Sequence, residues 1–172
     1  MGFELVEIAP SGHATTEAYR HAMVGVVEEL FQVMLGTEVR SCRSESVLAD
    51  DAITSVVTFE GRCDGAVWFR CSVRQAKAIA GLFMGGQCAV DDEALVDVMR
   101  ELANIIAGNL RRSMPHGARN GAPAVHRGRQ GVIGEMIYPD ILQTCFEWNG
   151  EAFSLNFGRF GIDDSLNDGD EN

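Results

Sequence analysis

The chain has 172 residues, 46% of them hydrophobic and 23% charged, which fits one domain with a sizeable core. Its formal net charge of -11 argues against binding nucleic acid or anionic membranes by bulk electrostatics. No apolar run reaches the roughly 18–20 residues of a spanning helix, and Met1 to Glu7 lacks the basic-then-apolar order of a signal peptide, so the chain reads as cytoplasmic.

Residues 1–12 form a lead with a short strand at Phe3–Ile8 that breaks at Pro10-Ser11-Gly12. A helix is predicted from Thr15 or Thr16 to Leu35. A Thr caps it, Glu17 lies in its first turn, and Ala22, Val26, Leu30, Val33 and Met34 recur at helical spacing. Gly36 is its natural stop. Ile53–Phe59, rich in Val, Ile and Thr, should pair as a hairpin with Ala66–Cys71 across the turn at residues 61–65. Ser72 then caps a helix from Val73 to about Met84, closed by Gly85-Gly86. The next helix runs from Asp91 or Asp92 to Arg112 and is ended by Pro115 and Gly117.

Residues 115–131 are rich in Gly, Pro and Arg and read as a solvated basic loop with one short strand at Ala124-Val125. Gly131–Tyr138 reads as a strand. Leu142–Trp148, the turn Asn149-Gly150 and Glu151–Phe157 make the clearest hairpin, since Asn-Gly between alternating runs marks a type I′ turn. Pairing outward sets Phe146 opposite Phe153, Thr144 opposite Leu155 and Leu142 opposite Phe157, all on one face. The tail, residues 161–172, carries Asp163, Asp164, Asp168, Asp170 and Glu171 with little that is apolar, and reads as a disordered solubilising segment. The expected architecture is α/β (α+β): a largely antiparallel sheet of five to six strands packed with about three helices, in one domain over residues 13–160. No strand precedes a Gly-rich phosphate loop, so nucleotide-binding folds are disfavoured.

The five cysteines, Cys42, Cys63, Cys71, Cys88 and Cys145, are odd in number and show no CxxC spacing. They read as reduced, mostly buried small hydrophobes rather than a disulfide framework or a metal site. His13, His21, His116 and His126 are scattered, so no metal centre is expected. Trp68 and Trp148 read as packing residues.

The helix over Asp97–Gly108 is the most informative segment. At roughly 100° per residue, Leu95, Met99, Leu102, Ile106 and Leu110 form one stripe, with Val98 and Ala103 at its margins, as on the buried face of an amphipathic helix. Asp97, Glu101, Asn104 and Gly108 form the opposite stripe. Glu101 and Asn104, at i and i+3, project side by side, and Gly108 would let another protein's backbone approach. Taken alone, an acid and an amide on a helix are commonly a solvated face. The chain has no GxSxG and no recognisable Ser/His/Asp set, so the pair makes sense as half of a site completed by another molecule.

Asp97-x3-Glu101-x2-Asn104 resembles the signature of the CheC/CheX/FliY family of chemotaxis phosphatases, and Glu101-Leu102-Ala103-Asn104-Ile105-Ile106-Ala107-Gly108-Asn109 is similar to the CheX form. Phe31 to Val39, Gly65 to Phe69 and the helix running to Gly85-Gly86 fall where the family has its first helix, a strand and the next helix. The likeness covers roughly residues 14–158, and its single motif copy is like CheX and unlike the two-copy CheC. Pro123, in Gly121-Ala122-Pro123-Ala124-Val125, follows Asn104 sooner than the family's proline does. The connecting loop is therefore short, and it is basic, with Arg111, Arg112, Arg119, Arg127 and Arg129.

The resemblance implies a CheX-like fold and hydrolysis of the aspartyl phosphate on a CheY-type receiver domain. Asn104 would orient the water and Glu101 would pair with the receiver's lysine. Asp97, Arg100, Gly108 and Arg111 would lie at the receiver contact. It implies no cofactor of the chain's own, the receiver bringing Mg²⁺, and a homodimer as the assembly. The alternative is a receiver-binding or flagellar-switch adaptor of the same fold that does not hydrolyse.

Overall fold

The structure is a computed structural model and describes residues 16–43, 51–61, 65–86, 89–114, 118–128 and 140–159. The expected strands at Phe3–Ile8 and Gly131–Tyr138 and the acidic tail lie outside the described residues.

In chain order the elements are α1 (Thr16–Glu29), a π-helical turn (Leu30–Met34), β1 (Arg40–Cys42), β2 (Ala52–Glu60), β3 (Gly65–Ser72), α2 (Val73–Phe83), α3 (Asp92–Leu110), a 3-10 turn (Arg111–Ser113), β4 (Arg119–Asn120), β5 (Ala124–Arg127), β6 (Asp140–Trp148) and β7 (Glu151–Arg159). The strands form one seven-stranded sheet in the order β1-β6-β7-β3-β2-β4, with β5 also paired to β2, and every described pairing is antiparallel. This is the α+β architecture expected, with three helices among the described residues. Two of the strands, β1 and β4, hold only three and two residues, too short to leave a period-2 pattern.

The β6–β7 hairpin has the expected register: Phe146 faces Phe153, Thr144 faces Leu155 and Leu142 faces Phe157. Its turn requires positive φ at both central residues, and Asn149 and Gly150 adopt φ of 53° and 77°. Gly65 is fixed by a different demand. Its strand lies so close to β7 that an added Cβ would collide with the carbonyl oxygen of Gly158.

The three helices share one core with one face of the sheet. Val27, Phe31, Ile79, Met99, Leu102 and Ile106 pack with Ile53, Val57, Phe69, Phe153 and Leu155, all buried. Aromatic rings fix its centre: Phe31 stacks on Phe153 at 5.3 Å and meets Trp148 edge-on at 5.6 Å. Trp148 donates its indole N–H to Thr37 Oγ1 at 3.1 Å, which satisfies its polar end. Trp68 lies on the other sheet face with Val56 and Ala66. Both tryptophans are therefore packing residues.

One expectation about α1 is corrected. Val33 and Met34 match a continuous helical stripe in sequence, yet they are 73% and 43% exposed. The helix widens to a π turn at Leu30, and the backbone N–H groups of Leu35 and Thr37 both donate to the Phe31 carbonyl, at 3.2 and 3.1 Å. That change of pitch turns Phe31 and Leu35 into the core and Val33 outward.

Candidate functional site

Helix α3 is held at both ends and along one side. Asp91 is its N-cap, accepting from the Ala94 N–H at 2.8 Å, and Asp92 and Glu93 place negative charge in the first turn. Asp92 also pairs with Arg127 of β5 at 3.0 Å, tying the start of the helix to the sheet. The hydrogen bond from Arg127 and its positive charge hold the Asp92 carboxyl below its ordinary value. At the other end the chain tightens into the 3-10 turn, whose Arg111 and Arg112 are exposed beside the helix carbonyl end, where cations are favoured. Leu95, Val98, Met99, Leu102, Ala103, Ile106, Ala107 and Leu110 are buried, so rotation about the helix axis would pull apolar side chains out of the core.

The core thereby sets the direction of the opposite stripe. Asp97, Arg100 and Glu101 are exposed, and Asn104 and Gly108 are partly so. Together with Arg111 they occupy a sector of about 100° centred opposite the buried face, by the helix's angular step. The structure thus brings Asp97, Arg100, Glu101, Asn104 and Gly108 onto one outward surface of α3, with Arg111 in the 3-10 turn that continues it.

Their local chemistry differs. Asp97 and Arg100 engage each other at 3.3 Å, an exposed i, i+3 pair. Neither Glu101 nor Asn104 has a side-chain partner among the described residues. The surface therefore offers a carboxylate, which accepts hydrogen bonds or pairs with a cation, beside a carboxamide, which both donates and accepts. Between them and the helix end, Gly108 leaves open space: a Cβ built there meets nothing within 4 Å. No packing contact among the described residues requires glycine at that helical position.

Arg127, read in sequence as part of a solvated basic loop, belongs instead to the anchor of α3. Arg119 pairs by backbone with Glu60 at the sheet edge and is exposed. Arg129 lies outside the described residues. Among the described residues no group of three or more His, Cys, Asp or Glu side chains is placed to hold a metal ion, and no helix is long and apolar enough to cross a membrane.

Comparison with known proteins gives this arrangement its context. The family model described as Chemotaxis phosphatase CheX matches residues 53–136, a span that includes all six residues of the α3 surface. No curated protein matches the chain by sequence. The fold is similar to the chemotaxis protein CheX from Vibrio vulnificus, at 13% identity and a TM-score of 0.69, covering 86% of this chain and 99% of that one. It is similar to a CheX–CheY complex with BeF3 and Mg²⁺ from Borrelia burgdorferi, at 18% identity and a TM-score of 0.65, covering 84% and 97%. A FliM middle domain from Vibrio alginolyticus shares it at 13% identity and a TM-score of 0.56, covering 83% and 92%. At these identities the structural likenesses speak for the fold.

Proposed function

We propose that this chain, which matches the CheC/CheX/FliY family through its CheX-type sequence, hydrolyses the aspartyl phosphate of a CheY-type receiver domain, with Glu101 and Asn104 as its contribution to the site. One observation carries the proposal: the acid and the amide stand side by side, unpartnered among the described residues, on an outward helix surface that the core holds in a fixed orientation.

The chemistry needs little more from this chain. Attack of water on the phosphorus forms one P–O bond and breaks the bond to the aspartyl oxygen, leaving a free carboxylate and inorganic phosphate. A carboxamide can accept a proton of the water in a hydrogen bond to its oxygen and aim the water's lone pair in line with the bond that breaks. That is catalysis by position, the role an amide plays towards water in GTP hydrolysis. Asn104 takes this role. Glu101, one turn away on the same face, pairs with the receiver's lysine and sets the register of docking. Gly108 admits the receiver's backbone, and Asp97, Arg100 and Arg111 surround the contact. The divalent ion that neutralises phosphate charge comes with the receiver, as the CheX–CheY complex with BeF3 and Mg²⁺ suggests for its own partners. The domain spans residues 13–160 and works in the cytoplasm as a homodimer.

A second reading, receiver binding without hydrolysis, draws support from the fold's likeness to the FliM middle domain. The two separate in Asn104→Ala. Under the phosphatase reading the variant binds phosphorylated receiver about as well as wild type while hydrolysis falls by roughly 10²-fold or more, the scale of a lost positioning contact. Loss of binding with no hydrolysis to lose assigns this helix face to adhesion.

A further inference from the structure

Two of the cysteines meet in space although nothing in their spacing suggests it. Cys42 on β1 and Cys145 on β6 are direct cross-strand partners in an antiparallel ladder. Directly opposed residues in such a ladder have Cα atoms about 4.5 or 5.5 Å apart, depending on the hydrogen-bonding phase. Both separations fall in the window of about 4.4–6.8 Å that a disulfide spans. Opposed residues also share a sheet face, so the two side chains leave the sheet on the same side.

Both are thiols in the structure and both are half-buried, whereas Cys71 is fully enclosed. Burial pushes the Cys71 thiol far above its ordinary range and leaves it inert. A cleft of about 420 Å³ opens beside the pair and is lined by Arg20, Val24, Arg43 and Gln143 as well as by the two cysteines. The Gln143 amide donates to Cys145 Sγ at 3.6 Å. The cleft reaches both cysteines; Arg20 in its wall is held by Glu17 at 3.7 Å and by the Gln143 carbonyl at 2.9 Å, which leaves the exposed Arg43 to favour a small molecule that carries a carboxylate. β1 is an edge strand of three residues whose only described ladder is with β6, so it can adjust locally as a bridge closes.

From this juxtaposition we infer that Cys42 and Cys145 form a reversible cross-strand disulfide by exchange with a small carboxylate-bearing disulfide of the glutathione class. The Cys42 thiolate attacks one sulfur of the small disulfide, forming a mixed disulfide and expelling one small thiolate, which takes up the proton Cys42 lost. Cys145 then loses its proton and attacks the Cys42 sulfur, forming the internal bond and expelling the second thiol. Two protein thiols are oxidised, one small disulfide is reduced to two thiols, and no other electron acceptor is needed. The bridge staples the sheet edge and closes a covalent loop that contains α3.

The test treats the purified full chain with oxidised glutathione, alkylates remaining thiols and maps peptides by mass spectrometry. The expected product is a peptide pair joined through Cys42 and Cys145, lighter by two hydrogens than the two thiol peptides together and separated again by dithiothreitol. Wild type should also gain several degrees in Tm on oxidation, a gain absent in Cys42→Ser and in Cys145→Ser. Alkylation of both residues after excess oxidant, or bridges that join either one only to other cysteines, overturns the inference. The peptide map is read on wild type, so a variant that folds poorly leaves the test intact.

Discussion

Gly108→Ala separates what the chain needs from what its partner needs. The position is inside helix α3 with open space where a Cβ would stand. In the isolated chain the methyl group should therefore cost nothing in packing. It should gain about 0.5–1 kcal/mol from the higher helix propensity of alanine. For a domain of this size that is a rise in Tm of roughly 1–4 °C, readable by circular dichroism or calorimetry. Under the proposed function the same methyl group would lie where the receiver's backbone approaches. Overpacking a close contact costs about 1–3 kcal/mol, which is roughly a 5- to 150-fold loss in kcat/KM for receiver dephosphorylation. The expected variant is more stable and less active. A variant that is stabilised with unchanged activity removes Gly108 from the contact surface. One that is destabilised contradicts the open helix face itself.

Other perturbations probe the frame that aims this surface. Gly65→Ala should lower stability by about 1–3 kcal/mol in urea melts, because its Cβ meets the Gly158 carbonyl; an unchanged midpoint refutes the close approach. Gly150→Val, at φ of 77°, should cost about 1–3 kcal/mol by the same assay, since a β-branched residue is strained there. The Asp92 carboxyl, held below its ordinary value by Arg127, should titrate higher in Arg127→Ala when followed by NMR. Because its folded value is depressed, its contribution to stability is present above the unfolded value and is lost as pH falls through the folded one. A wild-type Asp92 that titrates like a free carboxyl removes the anchor at the start of α3.

Much of the fold is legible in the sequence because local chemistry and tertiary demand agree. The Asn149-Gly150 turn dictates the register of β6 and β7, and the stripe from Leu95 to Leu110 dictates which side of α3 enters the core. The outward surface follows from that stripe by geometry, so helical spacing alone places Glu101, Asn104 and Gly108 on one face. What spacing misses depends on contacts between distant segments. The π turn over Leu30–Met34 leaves Val33 exposed and is closed by Leu35 and Thr37 N–H groups that share the Phe31 carbonyl, and a 3.6-residue period does not show it. Arg127 looks like one more charge in a basic loop until β5 brings it to Asp92. Cys42 and Cys145 have no motif between them because their meeting depends on β1 returning to pair with β6. Their reading as mostly buried hydrophobes fits Cys71 and not these two.

The most direct measurement of the central claim is the decay of aspartyl phosphate on a purified CheY-type receiver, followed with Mg²⁺ present, alone and with this chain. The account predicts that wild type accelerates the decay, that Asn104→Ala abolishes the acceleration, and that Glu101→Ala weakens it mainly at low receiver concentration, as a docking contact should. Unchanged decay in the presence of wild type, against a receiver shown to bind it, contradicts the phosphatase reading and leaves the α3 surface as a binding face.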